Sequence, residues 1–457
     1  MTDFLDQPAF ETSALIASGA LDPVDLMKAT LARIAGKNPS ANAIVSLRDA
    51  DDLLVLAQAA KNAPRKGWLH GMPLAIKDLA NVAGLPTSMG SPALVGTIAT
   101  KTDLFVQRMI DAGAIIIGKT NTPEFGLGSH TYNSVFGATE NALLSGMSAG
   151  GSSGGAAVAL AHGMVSIADG SDMMGSLRNP AGWNGVYGMR PTWGLVPGKD
   201  DGELFHHHLA TSGPMARTPQ DIAHLLTVQS GPDPCNPYGW PAQVYHDKLD
   251  VDLRGRRIGW LGDWGGAYPV EDGVIDTCAQ AVQGFTALGC TVIDLAPPFS
   301  REALWEAWLH LRAWAVAARL GALYDDPAMR DHLKPEAVWE VALGRSLTAA
   351  QITRASNLRS DWFRAATKMF ANVDAVVLPT AQCWPFPIGW DWPKDIGGQT
   401  MDTYHRWMEV VVPCSLIGLP CLAVPIKDVP MGLQLIGKTG DDLRLLQLGQ
   451  GWHNLQG

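Results

Sequence analysis

Residues 150–180 read GGSSGGAAVALAHGMVSIADGSDMMGSLRNP: glycines and serines enclose an apolar run, which gives way to Asp172, two methionines, Ser176 and Arg178. A loop this rich in glycine cradles a phosphate, opens a tight turn, or brings backbone close to a reacting atom. Around it the apolar pattern switches between helical and strand-like periods. Residues 22–36 carry Asp22 at an N-cap, Pro23 at the first helical position and Gly36 beyond the expected end, with Val24, Met27, Leu31 and Ile34 on one face. Residues 103–112 read as another helix, followed by Gly113 and the strand-like AIIIG. The alternation runs to about residue 196 and predicts an α/β layered domain.

The length of 457 residues admits a large core, in one α/β domain or in two or three. A hydrophobic content of 47% with 17% charged residues describes a well-buried globular enzyme, and a net charge of −10 argues against a broad nucleic-acid surface. The amino terminus has no basic segment followed by an apolar one, and no apolar run reaches membrane-spanning length, so a cytoplasmic protein without a membrane partner is expected. Cys235, Cys278, Cys290, Cys383, Cys414 and Cys421 form no close pair; they read as buried reduced thiols rather than a disulfide framework or zinc site.

From about 232 to 376 the pattern changes. RRIGWLG reads as a strand, long helical stretches such as REALWEAWLHLRAWAVAARLGAL follow, and VDAVVLPT (373–380) and LPCLAVPIKDVPMGLQLIG (419–437) return to strands. The middle therefore reads as an insertion into, or a cap on, one fold. Nine of the 16 tryptophans lie between Trp305 and Trp407, as core or as the lining of an apolar funnel.

GAIIIGKT at 113–120 satisfies the G-x-x-x-x-G-K-[ST] phosphate-loop pattern. Its interior of alanine and isoleucines belongs in a buried strand, whereas a phosphate cradle needs a loop that exposes N–H groups. No G-x-S-x-G elbow follows a predicted strand to present a serine to one of the 12 histidines, and the HHH run at 206–208 lacks a second ligand set, so lysine is the alternative base. Lys77, in HGMPLAIKDLANVAG, sits at the end of the short expected strand PLAIK, where a buried ammonium is costly. Desolvation there would lower its pKa and leave a neutral amine able to activate a serine.

GMPLAIKD, GKTNTPEFG, GGSSGGAAVALAHGMV, GSDMMGSLRNPAGWNGVYGMRPTWGLVP and GPMARTPQD together resemble the amidase signature family, strongly over about residues 65–225 and again in VVVPCSLIGLPCLAVP and MGLQLIG. The resemblance implies a single α/β amidase domain over 1–457. Its mixed central β-sheet would be covered by helices on both faces, with a helical cap or insertion at about 232–376 and closing strands at about 373–440. It also implies a Ser–cisSer–Lys triad that hydrolyses carboxylic amides through an acyl-enzyme without metal or organic cofactor. Residue by residue, Lys77 matches the family lysine, Ser176 the nucleophile and Ser152 the bridging serine with the cis peptide bond; Ser153 is the rival bridge. The backbone N–H groups of Met173, Met174, Gly175 and Ser176 are then expected to hold the oxyanion, and Asp172 and Arg178 to shape the turn.

Three departures from the family pattern stand out. Met173-Met174 replaces the usual Thr-Gly, which narrows the pocket or changes the acyl groups that fit. TENALL at 139–144 replaces an Arg-Asn-Pro segment, and IKDVPMGLQ lacks a longer loop. The implied function is an amidase releasing ammonia or an amine. The alternatives are a glutamine-hydrolysing A-type subunit of a tRNA-dependent amidotransferase and a catalytically silent amidase-like binding protein. Arg178-Asn179-Pro180 and Trp183-Asn184-Gly185, where that subunit usually has Arg-Gln-Pro and Phe-Cys-Gly, argue against the former. The expected partner is a small-molecule amide, with no nucleic acid and no membrane; a homodimer is compatible with the reading. Residues 301–322, 350–370 and 382–392 are expected to wall the acyl pocket.

Overall fold

The computed structural model describes residues 4–198 and 202–456. The strands in chain order are β1 (Ile44–Val45), β2 (Pro73–Lys77), β3 (Ile115–Thr120), β4 (Ile167–Asp172), β5 (Tyr187–Arg190), β6 (Thr211–Ala216), β7 (Arg257–Trp260), β8 (Thr291–Asp294), β9 (Ala375–Pro379), β10 (Asp395–Ile396), β11 (Gln399–Thr400), β12 (Cys421–Pro425) and β13 (Gly432–Ile436). Eight of them form the central sheet in the order β4-β6-β5-β12-β13-β9-β7-β8, and β1-β3-β2 form a smaller one. Pairing is mixed: β2–β3, β7–β8 and β7–β9 are parallel, and the rest of both sheets is antiparallel.

Strands β9, β12 and β13 are buried at every position, which requires cover on both faces. Helix 154–161 packs on β4 and β6 and bridges to the small sheet, and helix 179–183 packs on β12 and β13; helices 219–229 and 442–456 pack together over β6 and β12. Helix Gly154–Ala161 is apolar all round and buried along nearly its whole length, as its sequence GGAAVALA dictates. Among the described residues no helix is long and apolar enough to cross a membrane.

The GAIIIGKT stretch is strand: β3 is buried at all its positions and pairs with both β1 and β2. PLAIK is β2, and the closing strands fall where their apolar runs place them. The helix expected over 22–36 runs from Pro23 to Ala41 and so passes through Gly36 and Pro39. It stops at Asn42, which takes φ 47°, donates its N–H to Asn38 O at 2.8 Å, and is held by side-chain bonds to Phe136 O and Ala138 O. A tertiary anchor, rather than the first available glycine, sets the end. In the middle region β7 and β8 extend the central sheet itself, while helices 335–346 and 349–369 both pack on helix 301–325.

Of the tryptophans between 305 and 407, Trp305, Trp308, Trp362 and Trp407 are buried and Trp339 and Trp390 are exposed. The six cysteines are free thiols, all buried except Cys235. His207 packs on Trp314, and His208 on Trp193 and Tyr238.

Candidate active site

Strand β2 delivers Lys77 to the edge of β4, where its backbone N–H donates to Asp169 Oδ1 at 2.9 Å. The side chain is 1% exposed and its Nζ lies 2.8 Å from both Ser152 Oγ and Ser153 Oγ, 3.1 Å from Ser171 Oγ and 3.3 Å from Ser171 O. An ammonium has three protons for these four oxygens, whereas a neutral amine can accept from a hydroxyl with its lone pair. Burial pulls Lys77 down to about 7; Asp169 and Asp172 oppose this and the Arg319 guanidinium adds to it. Asp169, desolvated in turn, is pushed up to about 6.

The peptide bond Gly151–Ser152 is cis. It is held by Ser129 Oγ, 2.6 Å from Gly151 O, and by Asn179 Oδ1, which accepts from Gly151 N–H at 3.2 Å. Ser152 and Ser153 are equidistant from Lys77, but Ser153 Oγ also lies 3.3 Å from Ser171 O and 3.4 Å from Ser171 N, which turns it into the strand.

Ser176 sits on the turn that follows β4. Asp172 builds this turn by accepting from Gly175 N–H (2.9 Å) and Leu177 N–H (3.1 Å). Arg178 donates to both Asp172 carboxylate oxygens at 2.9 and 3.0 Å, to Gln434 Oε1 at 2.8 Å and to Ser415 Oγ at 2.6 Å. Arg190 donates to the Asp172 carbonyl. Burial alone would raise the Asp172 carboxyl, but Arg178 and Arg190 outweigh it and hold it below the ordinary carboxylate range.

Gly175 has φ 81°, and a Cβ there would stand 3.0 Å from Val411, so only glycine fits without strain. A Cβ at Gly170 would stand 2.6 Å from Leu177 Cδ2 and 2.8 Å from Ser153 Oγ, so the Ser176 turn and the serine loop meet over this glycine. Met173 and Met174 are absent from the residues with positive φ, so the methionines fit the turn's backbone. One part of the expected oxyanion site needs correction. Gly175 N–H is already bonded to Asp172, and the four expected donors reduce to three; among the described residues nothing accepts from the N–H groups of Met173, Met174 or Ser176.

The structure thus brings Lys77, Ser152 and Ser153 into direct contact and sets Ser176, 6% exposed, on the adjoining turn without a hydrogen bond to Ser152 among the described residues. Asp172 and Arg178 bond to the turn and to each other. Sequence reasoning missed Asp169 and Ser171, which period-two alternation along β4 puts on the face opposite Asp172. It also missed Ser129, Thr131 and Asn179, whose roles arise from contacts across the fold: Thr131 Oγ1 donates to Gly150 O at 2.8 Å and accepts from Gly154 N–H at 3.1 Å. Residues 301–325 supply Arg312, whose Nη1 lies 3.9 and 3.7 Å from the sulfurs of Met173 and Met174. In 350–370, Trp362 instead donates to Pro413 O and packs on Trp264 in the core.

The sequence matches the amidase family over residues 25–446. The chain belongs to that family. Amide hydrolysis at carbon–nitrogen bonds other than peptide bonds is the activity that comes with membership. The chain is 32% identical to an acylamidase of Rhodococcus erythropolis over 96% of this chain and 93% of the relative. It is also 32% identical to the A-type subunit of the glutamyl-tRNA(Gln) amidotransferase of Chloroflexus aurantiacus, over 100% and 98%. Among solved structures, a bacterial aryl acylamidase of the amidase signature family superposes with a TM-score of 0.92 at 27% identity, covering 98% of this chain and 96% of its own.

Proposed function

We propose that this amidase cleaves a carboxylic amide through an acyl-enzyme on Ser176, with Lys77 as the base and Ser152 as the relay. The observation that carries the reading is a buried Lys77 amine, drawn down to about 7, within 2.8 Å of the Ser152 hydroxyl. Neutral Lys77 takes the Ser152 proton as Ser152 takes the proton of Ser176. The Ser176 Oγ then forms a bond to the amide carbon, and charge develops on the carbonyl oxygen. Free N–H groups of the 173–176 turn stabilise that charge; loss of one such donor typically costs on the order of 100-fold or more in rate. The carbon–nitrogen bond breaks as the proton held by Lys77 returns through Ser152 to the departing nitrogen. Water, deprotonated by the same route, cleaves the ester and frees the carboxylate. Substrate seating closes Ser176 Oγ onto Ser152 Oγ, the contact that tightens in a Michaelis complex.

Ser176→Ala and Lys77→Ala are each expected to lower turnover of a good amide by on the order of 10⁴-fold or more. Activity within tenfold of the parent in either variant would refute the relay. The full-length likeness to the A-type chain of an amidotransferase favours a second reading, in which glutamine is the amide and partner chains receive the ammonia. Native size-exclusion chromatography separates the two: a complex with other chains supports the amidotransferase reading, and a homo-oligomer or monomer the free-standing enzyme. Labelling of Ser176 by a fluorophosphonate would exclude a silent binding protein.

A further inference from the structure

Away from the catalytic serines, an open cleft of about 500 Å³ is lined mainly by helix Ala50–Asn62, the loop 82–85 and the start of β3. None of Lys77, Ser152 and Ser176 belongs to its lining. The volume suits a small ligand rather than a protein, since ligand clefts run from about 300 to 1,000 Å³. Small residues make the room. Ala59 and Ala60 follow Leu56 by three and four positions and share its helix face, and a Cβ built at Gly84 would meet nothing within 4 Å. Leu85, Ile110 and Ile116 add apolar surface. The charge in the cleft is of one sign: Arg48 and Lys66 line it, and no aspartate or glutamate does. Arg48 donates one N–H to Ile116 O at 3.4 Å, and neither cation forms an ion pair among the described residues. The ring of His70 is already engaged, with Nδ1 accepting from Lys66 N–H at 3.3 Å and Nε2 donating to Ala60 O at 3.0 Å.

We propose that this cleft binds amphipathic carboxylates, with an aliphatic or aryl body on the apolar lining and the anionic group at Arg48 and Lys66. The inference does not depend on the acyl-enzyme reading. An apolar cation would meet two like charges there. A neutral molecule of the same length would leave both cations without a counter-charge, and a polyphosphate would leave the apolar surface in water. A carboxylate with an apolar body satisfies both parts of the lining, and its bonds to guanidinium and ammonium are of the stronger, charge-assisted kind. Amide hydrolysis releases carboxylates, so ligands of this class arise from the enzyme's own turnover.

Isothermal titration calorimetry of the full-length protein with octanoate, octanol and acetate tests this. Octanoate is expected to bind once per chain. Octanol, which lacks the charge, and acetate, which lacks the body, are each expected to bind about tenfold more weakly or worse. Arg48→Gln and Lys66→Gln together should weaken octanoate by about tenfold or more, to the level of octanol. Ala59→Trp should fill the cleft and remove binding. These positions lie outside the catalytic machinery, so retained amide turnover shows that each variant is folded. Absence of octanoate binding, octanol binding as tightly as octanoate, or octanoate binding that survives all of these substitutions unchanged would overturn the proposal. So would a dimer that Ala59→Trp converts to a monomer on size-exclusion chromatography, which would assign the cleft to a second copy of the chain.

Discussion

Replacing Lys77 by methionine tests the ionisation on which the chemistry depends. Lysine in the unfolded chain titrates near 10.5, and burial among the serine hydroxyls brings Lys77 to about 7. Between those values the unfolded chain binds more protons than the folded one, so this group makes stability rise with pH from about 7 and level off near 10.5. The limiting slope is about 1.4 kcal/mol per pH unit. Between pH 7 and 9, with the group half-protonated at the start, the gain integrates to about 2 kcal/mol. Lys77→Met cannot titrate. Urea denaturation of both proteins at several pH values cancels, in the difference, the titrating groups that do not interact with Lys77; Asp169, which does, is replaced by asparagine in both backgrounds. The protein that keeps Lys77 is expected to gain about 2 kcal/mol or more on the variant from pH 7 to pH 9. Parallel curves, with a difference constant to within about 0.5 kcal/mol, would show that Lys77 titrates alike in both states and would refute the argument.

The remaining predictions concern the residues around Lys77 and the turn. Asp169→Asn removes a negative charge that favours the Lys77 ammonium, so the ascending limb of kcat/KM against pH is expected to move below 7; an unmoved or alkaline-shifted limb contradicts this. Arg178→Met strands the buried Asp172 carboxylate, and a loss of about 3–5 kcal/mol is expected by urea denaturation; a loss under about 1 kcal/mol would mean that Arg190 suffices. Gly175→Ala forces an L side chain to a φ of 81° against Val411, with an expected cost of about 1–2 kcal/mol and a fall in kcat; unchanged stability and rate would show that the turn relaxes freely.

Much of this was legible in the sequence because the deciding signals are local. The apolar run of AIIIGKT could only be a buried strand, and PLAIK ends on a lysine that no buried strand carries without partners. The cis bond at Gly151–Ser152 falls where the resemblance puts it. What stayed hidden depends on contacts far apart in sequence. Asp169 and Ser171 can be sorted from Asp172 only once β4 is known as a strand, and Asn42 ends its helix through carbonyls 94 and 96 residues away. The Gly175 N–H reads as free in the sequence, yet Asp172, three residues earlier, folds back onto it, a side-chain turn that residue spacing alone does not reveal.

The pH dependence of Ser176 phosphonylation tests the central claim most directly, because it reports nucleophile activation without substrate selectivity or product release. With intact protein and peptide mass spectrometry as the readout, the second-order labelling rate is expected to rise with pH through a single ionisation near 7, and Lys77→Ala should abolish both the limb and most of the rate. A limb that persists unchanged in Lys77→Ala, or an adduct on a serine other than Ser176, would contradict the account.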